Sequence, residues 1–430
     1  MKRRSFVVAG TAALLGTGVG FWARARHGHA ASGEPGVAPG DTKLVSDPKG
    51  LLDLRKGFSY RILQRAGSKM DDGYRVPGRP DAMGCFDIGH GKWALMRNHE
   101  LDRSLPRLSA YHPGQHAPAE AYDTKSFGGV TRLVLDHQGK LLSSNLVLTG
   151  TSRNCAGGMS PWGWLSCEES LVDPKHGYVF LCATQKDHVQ KPQPIPAYGR
   201  FLHEAVAIDP SDHTAYLTED RGDGSLYRFV PRDKDKPFGK GQLQALAVEG
   251  RPRFALGDEL PAGSKFALRW VDVPVAAGEN DQLRYEAQAR GAAIIMRGEG
   301  IWRMKDGFAF TSTSGGPKAA GQIFHLTPTR QGGSLRLIAQ SDDPRMLDMP
   351  DNVTVTPWGD LMVCEDNHHS PCLRLVTQRG RVLTFAFNRG SLSEFAGVCF
   401  SPDGKLLFVN IQEANLTLAI EGPWQTLSHV

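Results

Sequence analysis

Residues 154–169 read NCAGGMSPWGWLSCEE and place a thiol, a Gly-Gly pair, a turn and two adjacent carboxylates within sixteen positions. The segment has the pattern of a β-hairpin. One strand leaves from the Cys155–Gly158 end, Pro161-Trp162-Gly163 supplies turn chemistry, and a second strand over Trp164–Cys167 runs back toward Glu168 and Glu169. A hairpin returns the chain to its own start, so Cys155 is expected close to the acids. Soft sulfur beside hard oxygen is the ligand mix of a transition metal next to a hard cation.

The layout recurs at residues 85–100 (CFDIGHGKWALMRNHE), 203–220 (HEAVAIDPSDHTAYLTED), 297–314 (RGEGIWRMKDGFAFTSTS), 350–366 (PDNVTVTPWGDLMVCED) and 394–412 (EFAGVCFSPDGKLLFVNIQ). Each copy runs from a polar start through a short apolar strand, turns at Gly, Pro or Asp, and ends a second strand on a polar residue. Six such hairpins predict an all-β chain, a six-bladed β-propeller with insertions between blades. A β-sandwich or two unrelated β domains is the competing arrangement.

Outward from the hairpins, residues 1–30 open with Arg3-Arg4 and an apolar stretch interrupted by glycines and threonines, the pattern of a twin-arginine export signal rather than a permanent membrane anchor. Export to the periplasm or medium by the twin-arginine machinery is expected. Residues 31–57 are rich in Gly and Pro and are expected as an extended arm, with the propeller over 58–430. The polar stretch 231–282 is expected as an insertion covering the ring, a small second domain being the alternative. Without residues 1–30 the 50 basic residues fall to 45, equal to the 45 acidic ones. That neutrality gives no polyanion-binding stripe, so nucleic acid is set aside as a partner. About 400 residues can bury a large core, and a monomer is expected. Seven cysteines leave at least one outside any disulfide pairing, and no Cys-x-x-Cys is present.

If the hairpins stand round a ring, strand starts and strand ends face one opening. That face collects Cys155, Glu204, Glu299, Asp351 and Glu394 from the starts. The ends contribute Glu100, Glu168 or Glu169, Glu219 or Asp220, and Glu365 or Asp366. So many anions repel unless cations neutralise them, which points to a multi-cation site. Adjacent residues of a strand point to opposite faces, so one acid of each pair is expected there. Arg297 and Glu299, two apart, project together; the guanidinium would receive an anion or form a structural ion pair with an acid. His99, His203, His368 and His369 lack metal-ligand spacing and are expected behind the ligands or at the surface.

These motifs together (NCAGG with SPWGWLSCEE, GRFLHEAVAIDP, RGEGIW with FTSTSGG, PDNVTVTPWGDLMVCEDN, EFAGVCFSPDG) resemble the PhoX-type alkaline phosphatases from about residue 50 to the end. The resemblance implies a six-bladed propeller that hydrolyses small-molecule phosphate esters with Fe(3+) and Ca(2+). It makes Cys155 an iron ligand, and it makes Glu204, Glu299 and Asp351, with an acid from Glu168/Glu169 and from Glu365, ligands of iron and calcium. Arg297 becomes the phosphate-binding arginine. Arg297 and Cys155 are thus the expected catalytic residues, with a metal-activated oxygen favoured over the thiolate as nucleophile. The chain departs from that family in its shorter length and in Trp164, where a threonine is expected. A calcium-dependent propeller lactonase or esterase, or a non-catalytic binding propeller, are the alternatives.

Overall fold

The computed structural model describes residues 43–111, 116–274 and 280–428. The expected signal at 1–30 and the first part of the arm lie outside the described residues. Every hairpin of the sequence reading forms. Asn154–Ser160 pairs antiparallel with Gly163–Glu168, Ser160 opposite Gly163, so Pro161 and Trp162 make a two-residue turn. Gly163 has φ 138°, and a Cβ there would lie 2.3 Å from the Cys182 carbonyl, so only glycine fits.

The first strands of the hairpins are Pro80–Asp87, Asn154–Ser160, His203–Ile208, Gly298–Met304, Pro350–Val355 and Phe395–Phe400. Each touches the next, and the last touches the first, so these six strands close a circuit. Close approach is what the glycines permit: a Cβ on Gly158 would fall 1.7 Å from the Val206 carbonyl, and one on Gly300 2.6 Å from that of Asp351. Alternate faces of the strands feed apolar clusters between neighbouring sheets, which is why residues such as Leu165, Phe310 and Val409 are completely buried.

The fold is all-β and propeller-like, but six separate blades are not formed. Among the described residues there are five sheets, of six, three, nine, four and four strands. The nine-stranded sheet runs from His203–Ile208 to Gly298–Met304, and because these end strands touch, it nearly closes on itself. The cause is Lys265–Asp272, which pairs with Gly241–Val248 on one side and Gly332–Gln340 on the other and fuses two hairpin units at their outer edge. Within the stretch 231–282, Gly241–Val248 and Lys265–Asp272 are strands built into this sheet. The helix Leu283–Ala289 follows the stretch. Part of the expected arm is also strand: Leu52–Arg55 pairs with Val382–Asn388. Among the described residues no helix is long and apolar enough to cross a membrane.

Candidate metal and anion site

All six first strands carry a β-bulge near their start, seen as a register shift after the first residue in five (Pro80, Asn154, His203, Gly298 and Pro350) and one residue later, after Ala396, in the sixth. A bulge re-aims side chains at the end of a strand. The second residues of the strands are Asp81, Cys155, Glu204, Glu299, Asp351 and Ala396, so five of the six carry a metal-ligating group. Glu204, Glu299 and Asp351 have carboxylate oxygens within 4.8 Å of one another, and so do Glu100, Cys155 and Glu169 with their oxygens and sulfur. Cys155 Sγ lies 3.7 Å from Asp81 Oδ2, which adds Asp81 to the second group.

Beneath this ring the next residues of the strands, among them Ala82, Gly157, Ala205, Gly300 and Gly397, close round Trp164 and Trp302. They leave a void of about 20 Å³, room for roughly one water. The axis is plugged there.

The acid pairs at the ends of the second strands divide by the alternation of a strand. Glu168 accepts from Ser152 N at 2.8 Å, Gly177 N at 2.9 Å and His176 Nδ1 at 2.6 Å. Glu365 accepts from Asp348 N at 2.8 Å, Cys372 N at 3.1 Å and Arg374 Nε at 2.7 Å. Glu219 likewise accepts from Ser225 N and Tyr227 Oη. These acids tie down the loops that follow; both oxygens of Glu168 and of Glu365 are engaged there, while Glu219 Oε1 has no hydrogen-bond partner and lies 3.9 Å from Arg284 Nη1. Glu168 and Glu365, expected as possible ligands, are corrected to this role. Their neighbours Glu169, Asp220 and Asp366 face the cluster instead.

Arg297 sits among them. Its Nε and Nη2 donate to Asp220 Oδ1 and Oδ2 at 2.8 and 3.0 Å, its Nη1 donates to Asp366 Oδ2 at 2.9 Å, and Nη2 also reaches Glu299. The expected pairing with Glu299 is present, and the guanidinium is 10% exposed.

Burial dominates the electrostatics. It pushes Glu204, Glu299, Asp81 and Glu394 well above the usual carboxylate range, with neighbouring acids adding to the effect. Glu169 is raised from 4.5 to about 8 and Asp351 from 3.8 to about 7 for the same first reason. Burial, then the charges of Asp81 and Glu204, push the Cys155 thiol up. Glu204 is fully buried, and neither of its oxygens has a hydrogen-bond partner; Asp81 Oδ1 has none either. Orphaned buried carboxylate oxygens cost several kcal/mol each unless a cation or proton meets them. Hard oxygens and one sulfur at this spacing fit a cluster of cations that includes a transition metal.

Asp81, Arg79 and Arg153 were missed in the sequence reading, which began the first hairpin at Cys85. The signal was present: Arg79-Pro80-Asp81 repeats the pattern of Arg153-Asn154-Cys155 and Arg297-Gly298-Glu299. All seven cysteines are free thiols. His99 and His203 are buried, with His99 Nδ1 on the carbonyl of Gly78 and His203 Nε2 on that of Gly199.

Fold and site together define a propeller-type enzyme whose mouth carries groups suited to cations and to an anionic substrate. The chain belongs to the alkaline phosphatase PhoX family, whose model matches residues 40–415, and it is a phosphatase. The solved structure of Pseudomonas fluorescens PhoX, in complex with vanadate, a transition state analogue, is 18% identical. It superposes with a TM-score of 0.68, covering 90% of this chain and 98% of that one. A gluconolactonase from Xanthomonas campestris is more distant, at 10% identity and a TM-score of 0.44, with 85% of this chain and 95% of that one covered. No curated protein matches the sequence.

Proposed function

We propose that the chain is an exported phosphatase that hydrolyses phosphomonoesters at an iron and calcium cluster in the mouth of the ring. The observation that carries this is the convergence of Asp81, Cys155, Glu204, Glu299 and Asp351, each the second residue of a bulged strand, with both oxygens of Glu204 and Oδ1 of Asp81 buried and without a hydrogen-bond partner among the described residues. Asp81, Glu100, Cys155 and Glu169 would hold ions on one side, and Cys155, the one soft donor, would select iron. Glu204, Glu299 and Asp351 would hold ions on the other. Bound there, such cations supply a nucleophile at neutral pH and offset charge on the phosphate and leaving oxygens.

The chain's own residues bind, orient and seal. Arg297 presents Nη1 and Nη2 to the phosphate oxygens. The carboxylates that hold its donors are ones cations also draw on, so cation loading and anion binding at Arg297 are coupled. A planar guanidinium matches two phosphate oxygens at once, which a lysine does not. Trp164 and Trp302 shut the channel below, so substrate enters and product leaves by one face. Residues 1–30 would direct twin-arginine export to the periplasm or medium, with the protein acting as a monomer.

The test is hydrolysis of p-nitrophenyl phosphate and of a five-membered lactone by the purified protein, with and without chelator. Chelator-sensitive release of phosphate supports the proposal. Lactone opening with no phosphate release would favour the single-calcium lactonase and sink it.

A further inference from the structure

Arg79, Arg153 and Arg297 occupy one structural position, the residue just before a bulged first strand, and all three have a left-handed backbone, with φ of 45°, 52° and 55°. In the other three hairpins that position holds Leu202, Met349 and Glu394, and Met349 shares the left-handed backbone, with φ of 53°. A left-handed conformation in a non-glycine residue costs on the order of ~1 kcal/mol and persists where the surroundings impose it. In all three it directs a guanidinium onto strand-end acids. Arg153 Nε donates to Glu100 Oε1 at 3.0 Å, and Nη2 donates to Glu169 Oε2 at 2.5 Å. Arg79 Nη1 lies 3.9 Å from Glu100 Oε2 and 3.5 Å from Gln412 Oε1.

The arginines differ in what is left over. Arg297 is 10% exposed and surrounded by three carboxylates, whereas Arg153 is 41% exposed and its Nη1 has no hydrogen-bond partner among the described residues. Arg153 thus stands fixed on two sides with one edge of its fork open. In the circuit of first strands Arg79 and Arg153 belong to neighbouring strands and share Glu100, while Arg297 lies on the strand opposite the first of them.

We propose that Arg153 is a specificity-determining residue that binds a second anionic group on the substrate, beyond the phosphate being hydrolysed. The preferred class is a small phosphate ester whose alcohol portion carries a carboxylate or a further phosphate. This rests on the phosphatase reading above. A guanidinium bound on two edges has little entropy left to lose when it meets an anion, and partial exposure keeps the contact modest. A gain of about tenfold is therefore expected for a substrate that carries the extra charge.

The matched probes are 3-phosphoglycerate and glycerol 3-phosphate, which differ by a carboxylate in place of a hydroxymethyl group. The metal-loaded parent should show kcat/KM about tenfold higher for 3-phosphoglycerate. Arg153→Gln should lower both values but erase most of their ratio, and Arg153→Lys should keep part of it. Calorimetry gives an independent readout: pyrophosphate should bind the parent more tightly than inorganic phosphate does, by a margin that shrinks in Arg153→Gln. No preference in the parent, or a ratio unchanged in a variant that melts like the parent, overturns the proposal. If the parent hydrolyses neither ester, the phosphatase reading has failed. In that case the calorimetric margin decides, and equal margins in parent and variant overturn the role of Arg153.

Discussion

Raising the pH of the cation-stripped protein from 5.5 to 8.5 should destabilise it, and calcium should undo that loss only at the upper end. Glu169 is raised from 4.5 to about 8 and Asp351 from 3.8 to about 7, chiefly by burial. In both the folded carboxyl keeps its proton where the unfolded one has released it. The stability this provides is complete below about pH 4 and is lost as the pH climbs to about 7 for Asp351 and about 8 for Glu169. With more protons on the folded state, the slope of stability against pH is negative. At about 1.4 kcal/mol per pH unit, the interval from pH 5.5 to about 7 for Asp351 and to about 8 for Glu169 would account for roughly 5 kcal/mol if the two groups were independent. They share one cluster and the folded state relaxes, so on the order of ~3 kcal/mol is a fairer figure, still a sizeable part of a typical folding free energy. That corresponds to a fall in Tm on the order of ~4 °C for a chain of this length. Calcium competes with protons for the same oxygens, so its stabilisation should be large at pH 8.5 and small at pH 5.5. Scanning calorimetry at both pH values, in chelator and then in millimolar calcium, measures all four. Equal stabilisation by calcium at the two pH values, or a chelated protein as stable at 8.5 as at 5.5, would refute the reasoning.

Arg297→Ala should lower kcat/KM on p-nitrophenyl phosphate by ~10²-fold or more with cation content nearly unchanged, and Arg297→Lys should recover only part of it; parental turnover in Arg297→Ala would remove its role. Cys155→Ser should reduce iron content while leaving calcium, and elemental analysis showing the reverse would reassign the thiol. Glu168→Gln and Glu169→Gln should part company: the first leaves His176 Nδ1 and two backbone N–H groups with a weaker acceptor and costs about 1–3 kcal/mol of stability. Glu169→Gln should instead lower cation content with stability in chelator held or raised, and matched behaviour of the two variants would show that the division of the acid pairs is wrong.

How far the sequence carried depends on how local each signal is. The hairpin at 154–169 was legible because its turn, its glycines and its strands all lie within sixteen residues; the turn alone would set Asn154 opposite Glu169, and the bulge between Asn154 and Gly157, which has no such local signal, moves it opposite Glu168. The division of adjacent acids was legible as well, since it rests on strand alternation. Which member faces the ring was not, because Glu168 and Glu365 are claimed by partners in the loop that follows, His176 and Arg374 among them. The start of the first hairpin was placed too late, at Cys85, so Asp81 and Arg79 were passed over. The fusion of two units into a nine-stranded sheet depends on Lys265–Asp272 meeting Gly332–Gln340, more than sixty residues on, behind a charged and proline-rich stretch that masks the strands.

The central claim is that buried carboxylates of the ring hold the cations on which phosphate-ester hydrolysis depends. Glu204 tests it most directly, being fully buried with both oxygens unpartnered and nearly isosteric with glutamine. Metal content and turnover of p-nitrophenyl phosphate should be measured together for the parent and Glu204→Gln. The account predicts iron and calcium with turnover in the parent, and a joint loss of bound cation and at least ~10²-fold of turnover in the variant. A variant that keeps its folded melting transition, the parent's metal content and the parent's rate would contradict it.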